Sequence, residues 1–373
     1  MVTSQTNEQA LEAAIEKKLT GTCREEIAAT PVAERTALYR AGNGYYLGEP
    51  SDFNARHALD EVRLFHFLEA TQPIELAKLQ KQSDWKLKIV ERLDRMIKKY
   101  GILHIFRKGL GVDDAHFTML YPLSLASSSE RVQQQFEANE FSVTRQLRHS
   151  LDNPLEEIDM VLIVNGLFFA TVEHKNHWTG LNARVHGQNQ YKKRDFNQPL
   201  LQFGRCLVHF TADTDEVYVT TKLSGASTYF LPFNQGDNHG KGNPKNAFGH
   251  KTSYLWDEVL TRKSVANIIQ HFVWFDGKDT GPLVKKTTLY FPKYHQLDVV
   301  RRLMADASRQ GVGQTYLIQH SAGSGKSNSI TWAAFQLIEV YPETATTPGG
   351  KGIDAPLFDS VIVVTDRRCS TSS

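Results

Sequence analysis

The sequence predicts an α+β domain with a mixed sheet, followed by the start of a parallel α/β domain. The first observation is the helical spacing of apolar residues in residues 7–19 and through most of residues 57–100. The second is a series of short strand-like runs between residues 141 and 223, separated by turns or by one helical stretch at 180–195. The third is an alternation of helices and strands after residue 289.

The second domain is predicted from the order of its elements. A helix over residues 294–309 precedes the strand "TYLIQH" (315–320), and a glycine-rich loop then leads into a helix over residues 328–340. The apolar run "SVIVVTD" (360–366) predicts a further strand. Strand, glycine-rich loop, helix and strand in this order are typical of the beginning of a parallel α/β domain.

The length of 373 residues favours two domains. We expect the first over residues 1–275, with a helical part at about 1–110 and a sheet core at about 135–230. Residues 276–288 have the composition of a linker, and residues 289–373 read as a truncated second domain. We therefore expect this chain to be a fragment of a longer protein.

The composition is that of an ordinary globular protein. The net charge is only +2, so any basic surface for nucleic acid must be local. The three cysteines are odd in number and far apart, which argues against a disulfide framework and suits a reducing compartment. No run approaches the roughly 18 apolar residues of a membrane span. We expect a cytoplasmic protein that does not enter a membrane.

The glycine-rich loop "QHSAGSGKSNSI" contains the end of a phosphate-binding motif. Gly323 and Gly325 let backbone amides turn toward an anion, Lys326 reaches the β and γ phosphates, and Ser327 suits Mg²⁺. His320 stands where the full motif has its first glycine, so the match covers only the "AGSGKS" end. A glycine-rich turn without a ligand is the alternative. The predicted ATP-binding residues of this loop are Gly323, Ser324, Gly325, Lys326 and Ser327.

The segment "DMVLIVNGLFFATVEHKN" (159–176) is an apolar hairpin with charged residues where its strands end. Residues two apart on a strand share a face, so Glu173 and Lys175 point together. Asp159 and Glu173 are the oxygen ligands that Mg²⁺ prefers, and the carbonyl of His174 is a possible third ligand. Lys175 then suits orientation of an attacking water or stabilisation of a phosphoryl transition state. The alternative is a set of solvated charges at a strand end.

The hairpin register decides whether these residues meet. A two-residue turn at Asn165–Gly166 sets Asp159 opposite Val172 and leaves Glu173 on the other face. A three-residue loop sets Asp159 directly opposite Glu173, about 5 Å apart at Cβ. If this is a metal site, we predict the longer loop, a bulge, or a bend at Asp159.

Two further segments carry a resemblance to known proteins. Gln296, in "YFPKYHQLDVVRRL", begins a helix ahead of the phosphate loop, and a glutamine amide can pair with an adenine edge. This segment resembles the Q-motif of superfamily 2 helicases, and "VIVVTDRR" (361–368) resembles their motif Ia. Together with the acid–acid–lysine hairpin, the chain resembles the start of the R (restriction, motor) subunit of type I restriction–modification enzymes. The resemblance covers essentially the full length.

This resemblance implies a fold and a function. It implies a restriction-endonuclease-like mixed sheet of the PD-(D/E)xK class, followed by a partial RecA-like domain. The activity implied is Mg²⁺-dependent DNA cleavage joined to ATP-driven DNA translocation. Mg²⁺ and ATP are the implied cofactors, and double-stranded DNA and the methyltransferase and specificity subunits are the implied partners. Because the later motor motifs are missing, we expect this fragment to be inactive as an ATPase.

The resemblance also implies further residues near the nuclease site. In the family these include a glutamine on the strand before the hairpin, here Gln146, and a glutamate in the first helix. Glu12 is our candidate for that glutamate, and Glu16 is the alternative.

A glutamine–tyrosine pair is expected on the helix after the hairpin. Tyr191 fits the tyrosine, but Gly187 stands where the glutamine belongs, so either Gln188 has taken its role or the pair is incomplete. Basic residues on the same helix are candidates for DNA backbone contacts, with a solvated basic turn as the alternative. These residues are Lys192, Lys193 and Arg194.

Two other functions remain open from the sequence. One is a different nuclease–helicase fusion, such as a type III restriction or repair enzyme. The other is a non-catalytic ATP-binding module in which the hairpin acids are structural.

Overall fold

The chain divides into two compact units, Met1–Phe291 and Pro292–Ser373. Within the residues that the structure describes, no helix is both long and apolar enough to cross a lipid bilayer. The residues described by this computed structural model are 8–30, 44–123, 129–176, 180–238, 240–276, 283 and 287–364.

Most helices of the first unit lie before the central strands along the chain, in the segments where the spacing of apolar residues predicts helices. The longest shows the pattern clearly, because Ile89, Val90, Leu93 and Ile97 are buried on one face and Gly101 ends it with φ of 81°. The α-helices of this unit are α1 (Glu8–Thr20), α2 (Arg24–Ala29), α3 (Glu61–Thr71), α4 (Pro73–Leu79), α5 (Trp85–Tyr100), α6 (Ile102–Lys108), α7 (Glu130–Glu137), α8 (Gln188–Lys193) and α9 (Arg262–Asn267).

The strands of the first unit are β1 (Tyr45–Leu47), β2 (Phe53–Asn54), β3 (Leu59–Asp60), β4 (Leu110–Val112), β5 (Ala115–Phe117), β6 (Phe141–Arg148), β7 (Glu157–Val164), β8 (Leu167–His174), β9 (Val208–Ala212), β10 (Val217–Thr220), β11 (Leu231–Pro232), β12 (Trp274–Phe275) and β13 (Leu289–Tyr290). Seven of them form one sheet in the order β1-β6-β7-β8-β9-β10-β11. The pairs β1–β6 and β8–β9 are parallel and the other neighbours are antiparallel. The predicted mixed sheet is therefore confirmed, and β1, from the predicted helical part, forms one of its edges.

The hairpin of β7 and β8 lies at the centre of this sheet. Every residue of β8 is buried, because neighbouring strands flank it on both sides and the sheet is covered on both faces. Asn165 and Gly166 make the turn with φ of 51° and 82°, the left-handed conformations of a two-residue hairpin. The Asn165 side chain accepts a hydrogen bond from the Glu140 amide and donates to the Met119 carbonyl, so this end of the hairpin is closed by packing. The charged residues lie at the opposite end.

The second unit contains two described helices, α10 (Tyr294–Gln310) and α11 (Lys326–Leu337). The strands expected at 315–320 and 360–366 are not formed in the described residues, which end at 364. A parallel strand exists only through hydrogen bonds to its neighbours, and neither segment has a strand partner in the part of the unit that is described. Leu317 is accordingly 93% exposed. The described residues of the second unit therefore contain no sheet, and the expected RecA-like domain stays a prediction.

Candidate active site

A bulge in β8 brings Asp159 into line with Glu173. The turn has two residues, since Val164 pairs with Leu167, but beyond the next pair the register shifts and Leu162 pairs with Ala170. Phe169 is thus an extra residue in β8. Met160 pairs with Val172, and continuing this register by one residue sets Asp159 opposite Glu173. Of the three predicted alternatives, a longer loop, a bulge or a bend, the structure has the bulge. The bulge brings Asp159 and Glu173 opposite each other, whereas a regular two-residue hairpin would place them on different faces.

The neighbouring strand is distorted at the same level. Arg145 pairs with Met160 and Leu147 with Ile158, so Gln146 lies level with Asp159. Gln146 has a φ of 52°, which is uncommon for any residue other than glycine and marks a local bend of β6. The half-buried glutamine thus lies on the strand next to Asp159, where the family resemblance placed it.

Asp159 and Lys175 are held together at the strand ends. One carboxylate oxygen of Asp159, Oδ2, accepts a hydrogen bond of 2.7 Å from the backbone amide of His174. The Nζ of Lys175 lies 3.5 Å from the same oxygen, and it donates to the His174 carbonyl at 2.5 Å and to Glu8 Oε1 at 2.6 Å. Although burial lowers it, the negative charges of Asp159 and Glu8 raise the pKa of Lys175 above its ordinary value.

Glu173 is a fully buried carboxyl with one free oxygen. Its exposed fraction is 0%, and burial, together with the charge of Asp159, raises its pKa well above the ordinary value. Oε1 accepts a hydrogen bond from Arg194, whereas Oε2 has no hydrogen-bond partner among the described residues. A buried carboxylate oxygen without a donor leaves a position for a cation.

The first helix supplies another buried acid. Glu12, on α1, accepts a hydrogen bond of 3.2 Å from Arg145 Nε, and burial followed by the charge of Asp159 raises its pKa to about 8. Glu16 is also buried and bonded to Arg145, but Asp159 is not among the causes that raise its pKa. Of the two glutamates, Glu12 is therefore the one whose pKa responds to the charge of Asp159.

Two residues of this cluster were not singled out from the sequence. Arg145 is buried among the carboxylates of α1, and Glu8 pairs with Lys175. The signal in the sequence is the spacing of Glu8, Glu12 and Glu16 by four residues, which places them on one face of α1. Buried carboxylates on a helix need positively charged side chains from other elements, but the spacing of the glutamates does not identify those partner residues.

The helix after the hairpin packs closely on the site. Its hydroxyl-bearing Tyr191 is buried, with its oxygen 2.6 Å from Thr171 Oγ1 on β8. A Cβ added at Gly187 would lie 3.0 Å from the Cβ of Thr211 and 3.6 Å from Lys175 Cγ. A glutamine at this position therefore requires Thr211 to move by a few tenths of an ångström. Gln188, the next residue, is half-buried, and its role stays a prediction.

The three basic candidates on this helix do not share one environment. Lys193 is exposed and Lys192 is half-buried, so both stay predicted DNA contacts. Arg194 is only 5% exposed, and its guanidinium donates to Glu173 and to the carbonyl of Glu157. The expectation that Arg194 contacts DNA is therefore wrong for this structure, because the buried Glu173 carboxylate takes it as its counter-charge.

The donor set of the site suits a hard divalent cation. Within the described ranges no three His, Cys, Asp or Glu side chains form a metal cluster. The site instead offers the carboxylates of Asp159 and Glu173 and the carbonyl of His174, all of them oxygen donors. The Lys175 ammonium, which is held by Asp159 and by the His174 carbonyl, shows that these two oxygen groups already bind a positive charge.

The phosphate loop lies at the start of α11 in the second unit. Gly325 precedes the helix with φ of 93°, and Lys326 and Ser327 are exposed in the first turn. Gln296 is buried, its Nε2 donates to the Gly325 carbonyl at 2.9 Å, and its Oε1 accepts from the Lys293 amide at 2.9 Å. The oxygen and the nitrogen of the Gln296 side-chain amide are thus both hydrogen-bonded to backbone groups of the protein. A contact with adenine stays a prediction.

Comparisons with known proteins match this region of the chain. Residues 123–228 match the family described as the type I restriction enzyme R protein N terminus. The chain is 24% identical over 210 residues to the type I restriction enzyme HindI endonuclease subunit of Haemophilus influenzae. That similarity covers 56% of this chain and 18% of the relative, so the chain spans a small part of that protein.

Proposed function

We propose that this chain is the N-terminal region of a type I restriction enzyme R subunit and carries its Mg²⁺-dependent DNA endonuclease site, because residues 123–228 match the N-terminal family of such proteins. The observation that carries the proposal is the bulge that sets Asp159 across from Glu173, with Lys175 beside Asp159. Solvated strand-end charges would be exposed, whereas Glu173 and Lys175 are buried.

Each residue has a role in phosphodiester hydrolysis. Asp159 and Glu173 would hold the metal, and the His174 carbonyl would be a third donor. When bound, Mg²⁺ neutralises charge on the scissile phosphate and makes a coordinated water more acidic. Lys175 is placed to hold a phosphate oxygen or the attacking water, since its ammonium lies beside Asp159. The His174 backbone amide donates a hydrogen bond to Asp159 and would keep this carboxylate oriented toward the proposed metal position.

The second unit is proposed to be part of an ATP-driven DNA translocase. The support is the sequence "GSGKS" at the first turn of a helix, with Gly323 and Gly325 at φ of 74° and 93°. Free backbone amides at a helix N-terminus, followed by Lys326, are suited to phosphate groups. ATP is the proposed ligand of this loop.

The partners of such a subunit follow from the family. We expect double-stranded DNA as the substrate, and a methyltransferase and specificity core that selects the recognition site. Lys192 and Lys193 are the candidates for DNA backbone contacts on α8.

The proposal is tested in the full-length subunit assembled with its methyltransferase and specificity partners. Asp159→Asn is expected to abolish DNA cleavage while ATP hydrolysis continues. The matched control is Glu157→Gln, which makes the same acid-to-amide change on β7 at a side chain paired with Arg148 on the surface, and which should cleave normally. Cleavage by Asp159→Asn at the rate of the control would refute the nuclease assignment. Lys326→Ala should instead abolish ATP hydrolysis, and cleavage with it.

A further inference from the structure

Arg194 connects three parts of the first unit at the end of the hairpin. It follows α8 directly, and its Nη2 donates to Glu173 on β8 and to the Glu157 carbonyl on β7 at 2.5 Å. Its Nη1 lies 3.5 Å from Oε1 of Glu156, in the loop between β6 and β7. The guanidinium is therefore held from several directions and has little freedom to reach the surface.

The helix that precedes Arg194 is itself fixed on the sheet. Tyr191 is bonded to Thr171, whose Oγ1 also lies 2.8 Å from Nδ1 of the buried His209 on β9. The Arg194 guanidinium lies 6.0 Å from the centre of the Tyr191 ring, which adds a cation–π contact. Gly187 allows the start of the helix to pack against β9. The position of the arginine is thus determined by β8 and β9 together.

This contact selects which oxygen of Glu173 remains available. Arg194 donates to Oε1, and Oε2 has no hydrogen-bond partner among the residues that the structure describes. Besides burial, the charge of Asp159 and a side-chain hydrogen bond with Asp159 raise the pKa of Glu173, as expected when the two carboxyl groups face each other across the bulged hairpin. An unrestrained glutamate can rotate about its side-chain bonds, so a fixed donor on one oxygen orients the other.

We propose that Arg194 is a positioning residue of the candidate active site, which holds Oε1 of Glu173 so that Oε2 faces Asp159 and is free to bind a divalent cation. The inference rests on the proposed nuclease function. This positioning role replaces the predicted DNA contact, which does not fit the burial of Arg194. It also explains why the positively charged guanidinium of Arg194 lies beside Glu173, a proposed metal ligand.

The test measures Mn²⁺ binding to the whole 373-residue chain without DNA, by the electron paramagnetic resonance signal of free Mn²⁺. Arg194→Met is expected to weaken Mn²⁺ binding roughly 10- to 100-fold, as loss of a residue that orients a metal ligand typically does. Arg194→Lys keeps the charge and one donor group, and should recover part of the affinity.

The matched control is Arg148→Met. It makes the same substitution at the same end of the sheet, where the arginine is exposed and paired with the Glu157 side chain. The control should bind Mn²⁺ like the wild type. Equal affinities of Arg194→Met and Arg148→Met would overturn the inference.

Folding and the nuclease assignment are separated by further variants. Thermal unfolding in EDTA identifies variants that do not fold, and if Arg194→Met is among them, Arg194→Lys carries the test. A folded Arg194→Lys with weakened Mn²⁺ binding supports the inference, and wild-type affinity overturns it. If Asp159→Asn and Glu173→Gln bind Mn²⁺ as the wild type does, the proposed metal site itself is wrong. If only these two lose binding and Arg194 variants do not, the site stands and the role of Arg194 fails.

Discussion

Glu12 is a buried carboxyl whose ionisation should contribute to the pH dependence of the stability of the first unit. It is 3% exposed, is bonded to Arg145, and has its pKa raised from 4.5 to about 8 by burial and then by Asp159. Since the folded-state pKa lies above the unfolded one, its stabilising contribution is complete below about pH 4.5 and is lost as the pH rises through about 8. Glu12→Gln keeps an acceptor oxygen for Arg145 but cannot ionise.

The structure sets the size of this effect. One pKa unit corresponds to about 1.4 kcal/mol, so the rise from 4.5 to about 8 limits the loss to about 5 kcal/mol of unfolding free energy. Water entry and relaxation around the ionised group reduce this limit. We expect Glu12→Gln to match the wild type within about 1 kcal/mol at pH 5, and to exceed it by about 2–4 kcal/mol at pH 9.

The assay is urea unfolding in EDTA, followed by tryptophan fluorescence at about pH 5, 7 and 9. The difference between variant and wild type cancels the other groups that ionise over this range. Glu91→Gln is the control, because it makes the same change at an exposed glutamate of α5 and should follow the wild type throughout. A free-energy difference for Glu12→Gln that does not grow with pH would refute the reasoning.

Three other substitutions test contacts seen in the structure. Tyr191→Phe removes the hydroxyl bonded to Thr171 and should lower the unfolding free energy by about 1–3 kcal/mol in urea; an unchanged value would contradict the buried hydrogen bond. Gly187→Ala places a Cβ 3.0 Å from that of Thr211 and should cost about 1–3 kcal/mol, seen as a lower thermal midpoint. A wild-type midpoint would show that the helix is not tightly packed there. Gln296→Ala should accelerate hydrogen exchange in the phosphate loop, and equal exchange rates would mean that the glutamine does not hold the loop.

The hairpin shows how far the sequence leads toward the site. Alternating and continuous apolar runs predicted β7 and β8, and the Asn165–Gly166 pair predicted the turn. The same reasoning could state only that Asp159 meets Glu173 if a longer loop, a bulge or a bend is present. A bulge depends on how each strand packs against its neighbours, and the sequence pattern around Phe169 does not predict one there.

In the second unit, by contrast, apolar runs that predict strands did not form strands in the described residues. The apolar runs at 315–320 and 360–366 have the composition of buried parallel strands. Strands form only by pairing, and the described part of this unit contains no strand for them to pair with. The helices α10 and α11 form as expected because their hydrogen bonds are internal.

The sequence by itself predicted the long helices and the central strands of the first unit, and the residue types of its candidate site, but not β1 at the edge of the sheet. Asp159, Glu173 and Lys175 were singled out by charge at the ends of apolar strands, and the phosphate loop later in the chain and the family resemblance favoured a metal site over solvated charges. Only the tertiary structure decided that Arg194 faces inward, and that Arg145 and Glu8 join the cluster. The physical reason is that a buried carboxylate must find its counter-charge among residues brought close by folding, and these lie on other elements far away along the chain.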